Sequence, residues 1–233
     1  MGWYKMSASL LSGAFGSKIQ LTATDAEQFS AHPDAFYNHN KDRVDGMPCR
    51  LVGADRIAHC AAADALVRKY REINAPIPEL WAEMEEALVW IESAREGSVR
   101  TLGPLILERH AIKLPNGLRL RYPGLECKED QFSYMGGRVG KERTKVYGGL
   151  LVENVIQALA RIVISDQMLH LRAENNLHPV TTTHDELVYI VEDAVAEATY
   201  QTVLKVMQTA PEWAVGCPVD AEGGFGPSYG SAK

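Results

Sequence analysis

The sequence has few cysteines and none in a pair that chemistry could use. Cys49, Cys60, Cys127 and Cys217 are the whole complement, far apart and with no CxxC spacing. That argues against a zinc knuckle and a disulfide frame, and leaves free thiols expected in a reducing compartment. Long apolar runs are missing as well. A bilayer span needs roughly 20 apolar residues, and the longest candidate, Val155 to Met168, is interrupted by Gln157, Arg161 and Asp166. Lys5 is not followed by the apolar stretch and small-residue cleavage site of a secretory leader, so the cytoplasm is the expected location. Low-complexity tracts and internal repeats are absent. What remains is an ordinary globular composition: 46% apolar residues in a chain of 233, enough for one large domain or two small ones.

The net charge of −6 speaks against nucleic acid if taken as an average, but the charge is unevenly placed. From Arg95 to Lys145, 11 Lys and Arg stand against 6 Asp and Glu, and the remainder carries 13 against 24. A basic middle beside acidic flanks fits a protein that holds phosphates in one place and metal ions in another. Scatter over a solvated surface fits the same numbers.

Local patterning predicts an α+β fold. Residues 1–50 read as short helices joined by loops, one of them at Asp25 to Phe29 with Thr24 or Asp25 as its N-cap. A longer helix opens at Asp55, with Ile57, Ala61, Ala65, Leu66, Lys69 and Tyr70 on helical spacing, and ends at Asn74 before Pro76. A second runs from about Pro78 to Ala94, and the two are expected as an antiparallel pair. Ile112 to Tyr122, broken by Pro115-Asn116-Gly117, reads as a hairpin whose alternation places Arg119 and Arg121 on one face. A basic loop from Gly136 to Lys145 follows.

The longest helix is expected from Gly149 to about Asn175, with Val152, Val155, Ile156, Leu159, Val163 and Gln167 marking its apolar side. Glu153, Gln157 and Arg161 recur at every fourth position, so they share a polar face that turns either to solvent or to a ligand. Val180 to Thr183 and Leu187 to Val191 read as two strands of a covered antiparallel sheet. His184-Asp185-Glu186 forms the turn between them. A helix from Asp193 to about Thr209 and a short strand from Pro218 to Glu222 complete the pattern. Trp81, Trp90 and Trp213 read as core anchors, and Tyr134 or Tyr147 as a surface for stacking beside the basic loop.

The acidic turn is the candidate for chemistry. Two adjacent carboxylates and an imidazole repel or compete unless a cation or phosphate environment compensates them. Mg²⁺ takes a few carboxylate oxygens and keeps its other positions for water and substrate phosphates. A polar turn with no ligand is equally compatible with the triplet by itself, because Asp is a common turn former.

Thr183-His184-Asp185-Glu186-Leu187, between two aliphatic or β-branched strands, resembles motif C of the family A DNA polymerases, the polymerase I and phage type. Three further segments resemble that family in the same order. These are Tyr70-Arg71-Glu72 through Pro76, Ile77, Leu80 and Trp81; Tyr147-Gly148-Gly149 through Glu153-Asn154 to Gln157 and Arg161; and Ala221 to Gly226 with Tyr229-Gly230. The resemblance implies a helical fingers remnant at 1–95 and a palm subdomain at 96–233, the latter containing the basic hairpin and loop at 110–146. It implies that Asp185 ligates catalytic Mg²⁺, that Glu186 supports it and that His184 lies beside the primer terminus. Glu153, Asn154, Gln157 and Arg161 would face DNA, with Arg143, Lys145, Arg119 and Arg121 as further DNA-binding residues. A Glu at 153, where many relatives carry Gln, accepts hydrogen bonds but donates none.

The family's chemistry uses two metal ions roughly 3.5–4 Å apart, bridged by two aspartates. The resemblance supplies one of them. No Asp-Tyr-Ser-like strand precedes Asp185, no nucleotide-binding helix with its Arg and Lys is found, and Met1-Gly2-Trp3-Tyr4-Lys5 resembles the residues just after that helix. The expectation is a polymerase component from a bacterial or phage-infected cell. It would act on primer–template DNA and dNTPs with a second chain, or an upstream region, carrying motif A, the nucleotide helix and the thumb. The alternative is a catalytically inactive DNA-binding or accessory palm module. A phosphohydrolase is disfavoured, since His59, His110, His170 and His178 show no metal-ligand spacing.

Overall fold

The computed structural model describes residues 2–136 and 142–232. The chain divides into two compact units, Met1–Glu79 and Leu80–Lys233. The architecture is α+β, as the patterning predicts, with helices predominating and the strands gathered in small antiparallel sheets.

In the first unit, α1 (Trp3–Ser12), α2 (Ala23–Gln28) and α3 (Pro33–Asp45) each pack on α4 (Gly53–Ile73). Alanine makes this possible. Ala58, Ala61, Ala62, Ala63 and Ala65 are buried on α4, and so small a side chain lets neighbouring helices approach on several sides while favouring the helix itself. Tyr70, further along α4, is exposed beyond the alanine segment. The cap of α2 is two or three residues earlier than expected. Thr22 accepts from the Asp25 backbone N–H at 3.3 Å while the Asp25 carboxylate accepts from the Thr22 N–H at 2.7 Å, a reciprocal capping box. His59, fully buried on α4, accepts the Leu21 N–H at Nδ1 (2.9 Å), and its Nε2 lies 3.2 Å from the Ser7 carbonyl.

The division between units falls inside α5 (Pro76–Ser93), whereas the sequence reading set its boundary after residue 95. Met84, Leu88 and Ile91 of α5 are buried with the sheets of the second unit. Within the first unit, α4 buries its alanines among α1, α2 and α3.

Four strands follow as an antiparallel meander: β1 (Val99–Leu102), β2 (Leu105–Glu108), β3 (Ala111–Lys113) and β4 (Arg119–Arg121). The β3–β4 hairpin is the expected one, pairing Ile112 with Leu120 and Lys113 with Arg119. Of the Asn-Gly pair, Gly117 alone takes the left-handed conformation (φ 85°), while Asn116 instead accepts the Leu118 N–H through its side chain at 3.1 Å. A second sheet contains β5 (Glu126–Lys128), β6 (Gln131–Gly136) and β7 (Glu142–Val146). The predicted basic loop is thus in part β7, because Glu142 to Val146 pairs with β6; residues 137–141 lie outside the described residues.

The longest helix, α6 (Gly148–Asn175), spans nearly the predicted range. Its buried positions are Gly148, Leu151, Val155, Ile162, Gln167 and Leu171, so the core stripe runs to one side of the predicted one and Ile156 is exposed. By length and mean hydropathy (1.4) α6 is the one helix among the described residues that could cross a membrane, a property the interrupting polar residues had hidden. Leu151, Val155 and Ile162 pack in the core with Leu107, Ile112 and Phe132. After α6 come the hairpin β8 (Thr181–Thr183) and β9 (Glu186–Val188), a 3-10 turn at Asp193–Val195, and α7 (Ala196–Met207). The helix predicted from Asp193 thus begins as a tighter turn. Residues 218–222 form no strand; this segment is tied by side chains, with Gln208 Nε2 donating to Asp220 and to the Ala221 carbonyl.

Candidate functional site

The β8–β9 register pairs Thr181 with Val188, Thr182 with Leu187 and Thr183 with Glu186, which leaves a two-residue turn, His184-Asp185. Glu186 therefore opens β9 rather than sitting in the turn. His184 holds φ 55°, a left-handed conformation that His tolerates better than a β-branched residue would. The expectation of a covered sheet is not met. Thr181 and Thr183 are exposed, β9 is half-buried along its length, and both turn residues face solvent. A two-stranded hairpin is marginal by itself in water, so its rigidity must come from neighbours. Two contacts supply it: Arg161 of α6 donates to the His184 carbonyl at 3.4 Å, and the Tyr229 hydroxyl donates to Glu186 Oε2 at 2.6 Å.

The polar face of α6 leads away from that turn. Gln157 lies one helical turn before Arg161 and donates to Glu153 at 3.3 Å, while Asn154 donates to the Tyr122 hydroxyl at 3.3 Å. From Asn154 to Arg161 the helix rises roughly 10 Å, at about 1.5 Å per residue. Beside its first half is an open groove of about 440 Å³, lined by Arg121, Tyr122, Tyr134, Asn154 and Gln157 among others. Tyr122 and Tyr134 meet edge to face at 5.0 Å, and burial pushes the Tyr122 phenol above its usual range, so it stays neutral and can both donate and accept. Tyr134, read with Tyr147 as a candidate stacking surface beside the basic loop, is part of this wall, whereas Tyr147 is exposed at the N-terminus of α6.

The four basic residues singled out in the sequence separate into different circumstances. Arg119 forms a bidentate pair with Glu108 at 2.6 and 3.0 Å, and its guanidinium holds the Glu108 carboxyl below the ordinary range. Arg143 is committed to its sheet, donating to Ser133 Oγ, the Ser133 carbonyl and the Gly124 carbonyl and pairing with Glu126 at 3.0 Å. Arg121 is exposed and lines the groove. Lys145 is exposed on β7. The structure thus gathers Arg121, Asn154 and Gln157 in one groove, and His184, Asp185, Glu186 and Arg161 around one turn, with α6 running between. Tyr122 and Tyr229 were missed as functional candidates, because each makes its contact with a residue more than 30 positions away.

Asp185 and Glu186 offer the carboxylate oxygens that Mg²⁺ prefers. Among the described residues, no group of three or more His, Cys, Asp or Glu is gathered to hold a metal ion. The donor set fits part of a site that further carboxylates or phosphates would complete, and does not fit a self-sufficient metal centre.

The DNA polymerase of Bacillus phage SP02 is 32% identical to the chain over 171 residues, which covers 68% of the chain and 26% of the phage protein. The chain thus spans about a quarter of the length of the curated relative it matches. No family model matches, and no solved structure matches. The chain is therefore similar to a portion of a DNA polymerase.

Proposed function

We propose that the chain is one portion of a family A type DNA polymerase, contributing the motif C turn and a duplex-facing helix to template-directed nucleotidyl transfer. The observation that carries this reading is the placement of the acidic turn against Arg161, on the same helix that presents Asn154 and Gln157 to a groove containing Arg121. A chain related to a phage DNA polymerase has a use for that combination: carboxylates at one end of a helix and amide and cationic groups along it.

Bound Mg²⁺ would supply activation of the primer 3′-hydroxyl and charge neutralisation on the triphosphate. The work of this chain's own residues follows from their chemistry. Asp185 and Glu186 provide carboxylate oxygens, and Arg161 fixes the backbone that carries them. Asn154 and Gln157 each hold donors and acceptors suited to the minor-groove edge, where base pairs offer mainly acceptors. Glu153 accepts only, and by engaging Gln157 it orients that amide. Arg121 and Lys145 neutralise phosphates. The second aspartate and the dNTP-binding helix come, in this proposal, from another chain or an upstream region.

Primer extension with the purified chain tests this directly. The expected result is no measurable nucleotide addition by the chain alone, together with duplex binding that weakens steeply with salt; robust addition without a partner would rule out the incomplete-site reading. A second reading, an inactive DNA-binding module, is favoured by the absence of a third metal ligand among the described residues. Fluorescence anisotropy with primer–template DNA separates the two. At constant ionic strength, Mg²⁺ should tighten binding at a primer terminus and Asp185→Asn should remove that gain; an affinity indifferent to both favours the module.

A further inference from the structure

The segment after α7 returns to the acidic turn by a path that its own side chains enforce. Gln208 near the end of α7 holds Asp220 and Ala221, at 3.1 and 3.0 Å. Tyr200 of α7 donates to the Gly223 carbonyl at 3.0 Å and lies against the Phe225 ring, with centroids 5.8 Å apart. The chain then doubles back on itself. A Cβ at Gly224 would come within 2.8 Å of the Ala232 carbonyl oxygen, and one at Gly226 within 2.8 Å of Ser231 Oγ, so both positions need glycine for the close approach. Ser228 and Ser231 cap one another in a short turn, the Ser228 N–H donating to Ser231 Oγ at 3.0 Å. That turn presents Tyr229, half exposed, whose hydroxyl donates to Glu186 Oε2 at 2.6 Å.

We propose that Tyr229 is a positioning residue for the acidic turn: by holding one oxygen of Glu186 it fixes how that carboxylate stands beside Asp185 for a divalent cation. This rests on the reading of the turn as metal-facing. The chemistry of the donor supports the role. A Lys or Arg in this place would neutralise the carboxylate and compete with a cation for it, whereas a phenol orients the carboxylate and leaves its negative charge in place. Carboxylates that bind metals are commonly held by such outer partners.

Mn²⁺ titration of the full chain, followed by loss of the free-ion electron paramagnetic resonance signal, tests the inference without requiring polymerase activity. Asp185→Asn should abolish the weak binding expected of a partial site. Tyr229→Phe should weaken it by about three- to tenfold, at or below the roughly 10- to 100-fold typical of outer-shell partners. Circular dichroism and melting should be unchanged, since Tyr229 is half exposed. In a Glu186→Gln background Tyr229→Phe should cost nothing more, because it acts through Glu186. If Asp185→Asn abolishes binding while Tyr229→Phe binds like the parent chain, or if the two losses simply add, the role of Tyr229 is refuted and the metal-facing reading stands. If the parent chain binds no Mn²⁺, or Asp185→Asn leaves its binding intact, that reading fails and the inference with it.

Discussion

Glu85 on α5 caps the N-terminus of α6 from outside the helix, its carboxylate accepting the backbone N–H of Gly148. Tyr147, the residue at the cap position, contributes no side-chain bond, so the first turn of a 28-residue helix depends on an acid more than 60 positions earlier in the chain. A negative charge there also meets the positive end of the helix dipole. The approach is so close that a Cβ at Gly148 would collide with the Trp81 carbonyl oxygen and with the Glu85 backbone nitrogen. Gly148→Ala is therefore predicted to destabilise the protein by about 3 kcal/mol or more, at the upper end of overpacking penalties because the obstructing atoms are backbone. Glu85→Gln, which keeps the acceptor and loses the charge, should cost only about 1 kcal/mol. Urea denaturation of the two variants measures both.

The groove makes a second prediction, about which arginine matters for DNA. Arg121→Ala removes an exposed cation that makes no ion pair among the described residues. It should weaken duplex binding and lower the slope of log affinity against log salt by about 1, with little change in melting. Arg143→Ala removes donors to two carbonyls and a hydroxyl and an ion pair with Glu126, so the β5–β7 sheet should lose about 1–2 kcal/mol. Anisotropy titrations at several salt concentrations, read beside thermal melts, distinguish the two effects. Equal losses of affinity with equal stability would contradict the assignment.

How much of this was legible in the sequence depends on the range over which each feature is decided. The β3–β4 hairpin was legible because Pro115-Asn116-Gly117 and the flanking alternation are local. The extent of α6 was legible for the same reason, yet its buried face was not: Ile156 is as apolar as Val155, and only the position of the sheets decides which one is covered. β1, β2, β5 and β6 were not foreseen, because short strands such as Glu126–Lys128 carry little periodicity and are fixed by their neighbours. At the site, the His184-Asp185 turn was visible in the residues themselves. Its supports, Arg161 and Tyr229, act 23 and 43 positions away, beyond what spacing reveals. The covered sheet was over-read from β-branched composition, since the exposed Thr181 and Thr183 have strand propensity without burial.

His59 predicts an acid sensitivity in the first unit. Burial lowers its pKa below the ordinary value of 6.5, against the smaller opposing effect of its bonds to Ser7 and Leu21. The folded state therefore favours the neutral ring and the unfolded chain binds the proton more readily, so stability should be full above about pH 6.5 and decline as the pH falls below it. The Leu21 N–H also loses its acceptor when the ring is protonated. Urea midpoints at pH 7.5 and 5.5 should differ in the parent chain and converge in His59→Gln, which cannot titrate. A His59→Ala change should cost about 3 kcal/mol at pH 7.5, through a cavity and two unsatisfied backbone groups, and less at pH 5.5, where the parent has already lost part of its stability.

The last prediction concerns the backbone of the acidic turn. His184 sits at φ 55° with its carbonyl held by Arg161, on a hairpin of only three paired residues per strand. Replacing His184 with Asn should be tolerated, because Asn adopts the left-handed conformation readily, whereas His184→Val should cost about 1–3 kcal/mol locally. That exceeds what a two-stranded hairpin can spare, so the expected result is local opening without global unfolding. Hydrogen exchange at the amides bridging Val180 and Val188 reports it, since the Val180 N–H donates to the Val188 carbonyl at 2.8 Å. Exchange there should accelerate in His184→Val and, more modestly, in Arg161→Ala, while amides around Leu151 and Val155 keep their protection. Uniform acceleration through α6 would instead mean that the turn and the helix unfold as one unit, and that Arg161 supports more than the hairpin.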